Sequence, residues 1–171
     1  MSVFWAILIY VMIYLASKFN SISYRYIIKP VLFRISHDSV HESMIKTGSK
    51  VQNIAVFNWL MRTSFKYQSE KIEIDKFGIN FQNPIGLSAG IDKDVKIYRL
   101  LEAVGFGFAE CGSVTLESYQ GNVQPWYTRL PKSKSIVVNS GLRSEGAEKV
   151  IERANKYPKS LTDIFPLNIS I

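Results

Sequence analysis

Hydrophobic and polar positions change their rhythm several times along this chain. Ser2 to Ser17 (SVFWAILIYVMIYLAS) carries no charge. Spanning a bilayer takes about 20 apolar residues, with a lower limit near 17, so the run sits at the border. It predicts a retained membrane anchor, with an interfacial helix or a buried core helix as alternatives. It has neither a basic n-region ahead of it nor a small-x-small cleavage site, which argues against a cleaved signal peptide. Between 31 and 66 the apolar positions fall at helical spacing. Ser39-x-x-Glu42 has the form of a capping box, and Val40, Met44 and Ile45 make a stripe that Gly48 is expected to stop. Ile54, Phe57, Leu60 and Met61 make a second stripe. Two such helices either cap a domain or form an apolar funnel for a lipid-soluble ligand.

From residue 71 the period shortens. Lys71–Asp75 and Ile79–Phe81 alternate around Phe77-Gly78 and predict a hairpin. An apolar strand over Ile85–Ala89 then turns at Gly90-Ile91-Asp92-Lys93-Asp94 into a helix with Ile97, Leu100, Leu101 and Val104 on one face, stopped by Gly105. A second strand, Phe106–Cys111, leads into a polar excursion over 116–140. A helix over 145–156 and a third strand, Pro166–Ile171, follow. Strand–helix–strand alternation of this kind predicts parallel strands, with ligand chemistry at their C-terminal ends. Those ends are Ser88–Lys93, Cys111–Thr115 and Asn168. Small residues there let a flat ring approach the backbone, Lys93 offers a cation, and Ser113 and Asn168 offer hydrogen bonds. In a plain turn, Lys93 would instead make a surface ion pair.

Composition narrows the classes. The chain has 171 residues, 47% hydrophobic and 20% charged, with one cysteine. A disulfide framework and a cysteine-based zinc site are excluded. Two histidines, His37 and His41, lack a third ligand nearby, and no Walker motif occurs, so no metal site is expected. Cys111, mid-strand among apolar residues, reads as an inert buried thiol. The net charge of +7 lies mostly in front: residues 1–69 hold eight basic side chains against Asp38 and Glu42. No groove-reading or base-stacking motif accompanies it, so nucleic acid is not the expected partner. Lys18, Arg25 and Lys29 sit behind the apolar run, where each gains about 1 kcal/mol near anionic headgroups.

Three consecutive segments carry a resemblance. Asn83–Asp94 (NPIGLSAGIDKD), Gly105–Thr115 (GFGFAECGSVT) and Gly121–Pro131 (GNVQPWYTRLP) closely resemble dihydroorotate dehydrogenase, best its membrane-associated, quinone-dependent class. The likeness extends upstream through Val31–Glu42 and covers about residues 24–171. It implies an FMN flavoprotein that oxidises dihydroorotate to orotate in pyrimidine synthesis and passes electrons to a membrane quinone. The implied fold is an α/β one: an incomplete (β/α)8 TIM barrel, about three of eight strands, preceded by an N-terminal membrane-anchoring helix and two short helices. The expected organisation is an anchor over 1–23, a helical quinone-tunnel region over 24–70 and barrel over 71–171. By motif position Ala89, Gly90, Ile91, Asp92 and Lys93 would line the flavin, with Ser113 and Asn168 hydrogen-bonded to it. Lys93, Asn139, Ser140, Gly141 and Leu142 would meet substrate. His41 and Arg129 would line the quinone tunnel. The implied location is a membrane: the cytoplasmic face of the cell membrane in a bacterium, the inner mitochondrial membrane in a eukaryote.

Two departures from the family pattern stand out. Its substrate loop usually reads Asn-Arg-x-Gly-Phe-Asn, whereas here Val138–Arg143 reads VNSGLR. Asn139 and Arg143 could re-create its contacts, or the substrate could differ. A full barrel also needs roughly 250 residues, and the serine base of this class is expected beyond Ile171. The sequence therefore reads as an N-terminal part, expected to be inactive and a poor FMN binder alone. A non-catalytic membrane-anchored remnant, or an FMN barrel with a changed substrate, are the alternatives.

Overall fold

In the computed structural model, which describes residues 18–19 and 21–171, Ser36 rather than Ser39 opens the first long helix. Its Oγ accepts from the Ser39 amide at 3.2 Å, so the cap lies three residues earlier than the expected box. The expected anchor over Ser2–Ser17 lies outside the described residues; among those described, no helix is long and apolar enough to cross a membrane. The chain divides into two compact units, residues 1–40 and 41–171. In the first, a wide π-helical turn over Tyr24–Ile28 passes into α1 (Lys29–Leu32), with Pro30 in its first turn, where a missing amide costs nothing. Its apolar side chains face outward: Phe19, Tyr26 and Ile27 are 71%, 67% and 64% exposed.

Helix α2 (His37–Val51) runs through Gly48, which was expected to end it. The glycine is a packing device. A Cβ there would stand 2.9 Å from Ile97 Cγ2 and 3.1 Å from Leu100 Cδ2, so only a bare backbone lets α2 lie this close to the segment that follows residue 96. Helix α3 (Ala55–Phe65) follows after a turn at Asn53. The predicted hairpin forms as β1 (Ile74–Lys76) and β2 (Ile79–Phe81), antiparallel. Phe77 and Gly78 both take positive φ (56° and 74°), the geometry that a tight hairpin requires.

The three predicted parallel strands form, but shorter. The segment around Leu87 pairs with β3 (Ala109–Cys111) through Leu87 N to Phe108 O (3.0 Å) and Glu110 N to Leu87 O (2.8 Å). On its other side β3 pairs in parallel with β6 (Leu167–Ile169), Cys111 opposite Ile169. Gly107 is what allows the close approach before β3, since a Cβ there would sit 1.7 Å from the Asn83 carbonyl. The polar excursion is not irregular throughout, as the spacing suggested. It contains a hairpin, β4 (Tyr127–Leu130) with β5 (Ser135–Val138), for which the β-branched run Ile136–Val138 was the available sequence signal.

Helices α4 (Tyr98–Ala103), α5 (Ala147–Asn155) and α6 (Lys159–Thr162) cover one face of the parallel strands. Ala109 and Cys111 of β3 are fully buried beneath Tyr98, Leu101, Val150 and Leu161. Burial pushes the Cys111 thiol up to about 12, which fits the inert reading. Tyr98 is also fully buried; its hydroxyl donates to the Phe165 carbonyl and its ring lies 4.9 Å from those of Tyr157 and Phe165.

Glu102 of α4 ties α3 to this layer. It is 2% exposed and takes Arg62 Nη2 and Lys66 Nζ, each at 2.6 Å. Burial alone would raise its pKa, but the hydrogen bonds and charges of Arg62 and Lys66 outweigh that and hold it below its ordinary value. Glu102→Gln leaves Lys66 without its carboxylate and is expected to cost about 3 kcal/mol at neutral pH. A depressed folded pKa gives stability that is present above the unfolded value of about 4.3 and lost as pH falls through the folded one. Urea midpoints of wild type and variant should therefore converge in acid; a gap that persists there would exclude Glu102 as the source.

Candidate functional site

A buried carboxylate shapes the turn after the first parallel strand. Asp92 is 1% exposed, and its two oxygens accept from the amides of Lys96 (2.7 Å) and Ile97 (2.9 Å). Desolvation pushes its pKa up, with the two amide hydrogen bonds opposing. Both oxygens are thus committed to the backbone. Asp92, expected on sequence grounds to line a flavin, acts here by fixing the turn from which its neighbours project.

Those neighbours point to different partners. Lys93 Nζ donates to Ser140 Oγ at 2.9 Å and to the Gly141 carbonyl at 3.1 Å. Asp94 Oδ1 accepts from the Glu145 amide at 3.0 Å, and its carbonyl accepts from the Arg153 guanidinium. The Ile91 carbonyl accepts from His41 Nε2 at 2.9 Å. Residues expected at one site from motifs nearly fifty positions apart, Lys93 with Ser140 and Gly141, are therefore in direct contact. Burial lowers the Lys93 pKa, the charge of Arg143 lowers it further, and Asp94 works against both. Two of the three ammonium donors are used, which leaves one for a ligand.

The rest of the 138–143 loop is arranged differently from the sequence expectation. Asn139 Oδ1 accepts from Asn122 Nδ2 at 3.0 Å, so its carboxamide is taken up within the excursion. Leu142 is 59% exposed. Arg143 stacks on Trp126, its guanidinium carbon 4.1 Å from the ring centroid, and pairs with Glu42 of α2 at 3.1 Å. Neither Trp126 nor Glu42 was expected to meet this loop; Glu42 was read as part of a capping box.

A carbonyl can only accept, so His41 Nε2 carries a proton, and in the neutral ring Nδ1 is a bare acceptor. Nδ1 is buried and lacks a partner among the described residues. The ring of Tyr127 lies 5.5 Å from that of His41. Strand alternation puts Arg129 on the same face of β4 as Tyr127. Tyr127 is a neighbour of His41 that the motifs did not disclose.

At the strand ends, Ala89 is exposed, and Gly90 takes φ 112° with nothing within 4 Å of a would-be Cβ. This leaves open space over the backbone, as a planar ligand needs. Ser113 Oγ lies 3.4 Å from Ser170 Oγ. Asn168 makes no side-chain hydrogen bond among the described residues and lines a separate, mostly apolar cavity of about 440 Å³ with Ile79, Phe81 and Phe108. No contact brings it to Lys93. Among the described residues no cluster of metal-ligating side chains occurs.

Comparison with known proteins gives these contacts a context. The family profile of dihydroorotate dehydrogenase matches residues 71–171. The chain is 33% identical over 130 residues to a dihydroorotate dehydrogenase (quinone) of Christiangramia forsetii, covering 76% of this chain and 38% of that protein. It is 33% identical over 145 residues to the enzyme of the same name in Haloarcula marismortui, covering 85% and 40%. Among solved structures, Eimeria tenella DHODH in complex with ferulenol is similar, with a TM-score of 0.54 and 27% identity over 67% of this chain and 33% of that one. The chain belongs to the dihydroorotate dehydrogenase family, and its parallel strands are part of a (β/α)8 barrel fold. It spans about two fifths of the length of these curated relatives.

The turn makes a local prediction. In Asp92→Asn one of the two acceptors becomes a donor facing an amide, which should cost about 1–3 kcal/mol. Hydrogen exchange of the Lys96 and Ile97 amides should accelerate with it; unchanged protection would mean that the carboxylate does not hold the turn.

Proposed function

We propose that this chain supplies part of a flavin-dependent, quinone-linked dihydroorotate dehydrogenase, which oxidises dihydroorotate to orotate in pyrimidine synthesis and passes electrons to a membrane quinone. The observation that carries the reading is Lys93, whose ammonium joins the glycine turn to the 140–141 loop beside the open backbone of Gly90.

FMN fits the turn: Ala89, Gly90, Ile91 and Lys93 would lie along it, with Asp92 beneath and Ser113 as a hydrogen-bonding residue, whereas Asn168 lines the other cavity and does not join them here. When bound, FMN supplies the two-electron acceptor that no side chain provides. Lys93 presents its third donor to an anionic substrate and places positive charge where the site gains negative charge. Ser140 and the Gly141 carbonyl fix where that ammonium stands. On the other side of Ile91, the unpartnered Nδ1 of His41 can accept from the hydroxyl of a quinol, with Arg129 and Tyr127 alongside. Residues 1–23 would anchor the protein, 24–70 would form the quinone-tunnel region and 71–171 the first part of the barrel. The outward apolar side chains of the first unit, Phe19, Tyr26 and Ile27 among them, support a membrane location in contact with lipid. That membrane would be the bacterial cell membrane at its cytoplasmic face, or the inner mitochondrial membrane.

One observation favours a second reading, a changed substrate. The Asn139 carboxamide is occupied by Asn122, and Arg143 stands where the family carries asparagine.

Both readings meet one experiment. The protein is produced from its own gene, and dihydroorotate-dependent reduction of a soluble quinone is followed in membrane and soluble fractions. Activity is expected in the membrane fraction, falling at least about a hundredfold in Lys93→Ala through loss of a charged donor at the site. Turnover that survives Lys93→Ala would sink the role of Lys93. Flavin binding without dihydroorotate turnover would transfer support to the changed substrate, and absence of both would leave a non-catalytic remnant.

A further inference from the structure

Two adjoining cavities share a cation, and the larger extends to Lys93. The larger, about 730 Å³, is bordered by His41 and Lys93, by Lys46 of α2 and Gln52, and by Lys96, Arg99, Arg153 and Lys156. The smaller, about 400 Å³, shares Asn53 and Arg99 with it and adds Asn58 and Ser160. Charge in the larger cavity is unbalanced. Glu145 serves both Lys96 (2.6 Å) and Arg153 (2.5 Å), Asp94 lies 3.5 Å from Lys96, and Lys156 pairs with Glu152 at 2.8 Å. Among the described residues, no carboxylate reaches Lys46 or Arg99. The Arg99 guanidinium faces only the Tyr157 ring, 6.0 Å from its centroid. A concave wall of this kind concentrates positive potential better than a convex surface does.

A second, independent feature lies in the smaller cavity. Asn58 is 5% exposed, and its Nδ2 donates to the Gln52 carbonyl at 2.6 Å. That carbonyl fixes which end of the amide points inward, so Oδ1 is left as a buried acceptor without a partner. A buried acceptor left bare costs about 1–3 kcal/mol, and a ligand with an O–H group would relieve it.

We propose that Arg99 and Lys46, with the Asn58 carboxamide, form a binding site for a phosphate group that carries hydroxyl donors. The guanidinium and ammonium take the phosphate oxygens, and Asn58 Oδ1 accepts from the hydroxyl. Free phosphate esters and glycerophospholipid headgroups share this chemistry. Lys93 and His41 border the same larger cavity, but Arg99, Lys46 and Asn58 are none of the side chains assigned to flavin, substrate or quinone. Binding is read without flavin or turnover, so failure of this site and failure of the enzymatic reading are distinguishable.

The full chain is titrated calorimetrically with inorganic phosphate and with glycerol phosphate at constant ionic strength. Its sedimentation with phosphatidylcholine vesicles, with and without phosphatidylglycerol, is measured in parallel. Only the increment due to phosphatidylglycerol is read, because the apolar N-terminal residues bind either vesicle. Arg99→Gln and Lys46→Gln are each expected to weaken binding about tenfold, the loss of one charge-assisted contact; Lys46 is exposed, so its variant keeps the fold. Saturable binding of glycerol phosphate, tighter than that of inorganic phosphate, identifies a free ester as the ligand. A variant-sensitive increment confined to phosphatidylglycerol vesicles identifies a headgroup. Absence of both, or binding indifferent to both substitutions, overturns the site. Equal affinity for phosphate and glycerol phosphate removes Asn58 from it.

Discussion

Asp92 holds a carboxylate out of water and fills both of its oxygens with backbone amides. Burying that group is costly, and its raised pKa records the cost. The return is a turn with no freedom at residues 91–97, including Val95 at φ 57°. Ile91, Lys93 and Asp94, the three neighbours of Asp92, then act outward from a fixed frame. The Ile91 carbonyl meets His41, the Lys93 ammonium meets Ser140 and Gly141, and Asp94 meets Glu145 and Arg153. Without the carboxylate in the middle, none of these contacts would have a defined direction.

The same frame connects α2 to the 138–143 loop. Gly48 lets the helix lie against Ile97 and Leu100, which brings His41 one side chain away from the Ile91 carbonyl. Glu42, the next residue, reaches Arg143 in the loop whose Ser140 holds Lys93. A displacement of α2 would thus be felt at Lys93 through the turn and through the loop. In the reading proposed for this protein, that links the quinone side to the substrate side by packed contacts rather than by proximity alone.

Strands and helices with strong periodicity were legible in the sequence. The three parallel segments, the 71–81 hairpin and the helix over 145–156 fall where alternation and helical spacing put them. What was misread has local physical causes. Gly48 signals a helix end by propensity, but it serves close packing, and tertiary contact overrides propensity there. Ser36 outcompetes Ser39 as cap because its hydroxyl faces the free amide. The β4–β5 hairpin hid among turn residues, since neither YTRL nor SIVV alternates and every residue of β5 is exposed. Of the candidate site, Lys93 meets Ser140 and Gly141 directly, and His41 lies beside Tyr127 of β4. Asp92 could not be told from a ligand-facing residue, because a sequence does not show which way a carboxylate points. Asn168 was grouped with Lys93 as a strand-end residue, yet it lines a cavity that Lys93 does not border.

Charge placement explains why one cation, rather than two, is left for chemistry around the loop. Arg143 is close enough to Lys93 for its charge to lower the lysine's pKa. Left free, it would compete for any anion that approaches. It is instead held flat on Trp126, with its charge met by Glu42. A guanidinium stacked and paired in this way is satisfied on its face and at its edge. Lys93 has only neutral oxygens as partners and keeps a donor in reserve. The loop's departure from the family pattern at Arg143 is therefore coupled to Glu42 and Trp126, and it leaves Lys93 as the loop's cation with a donor to spare.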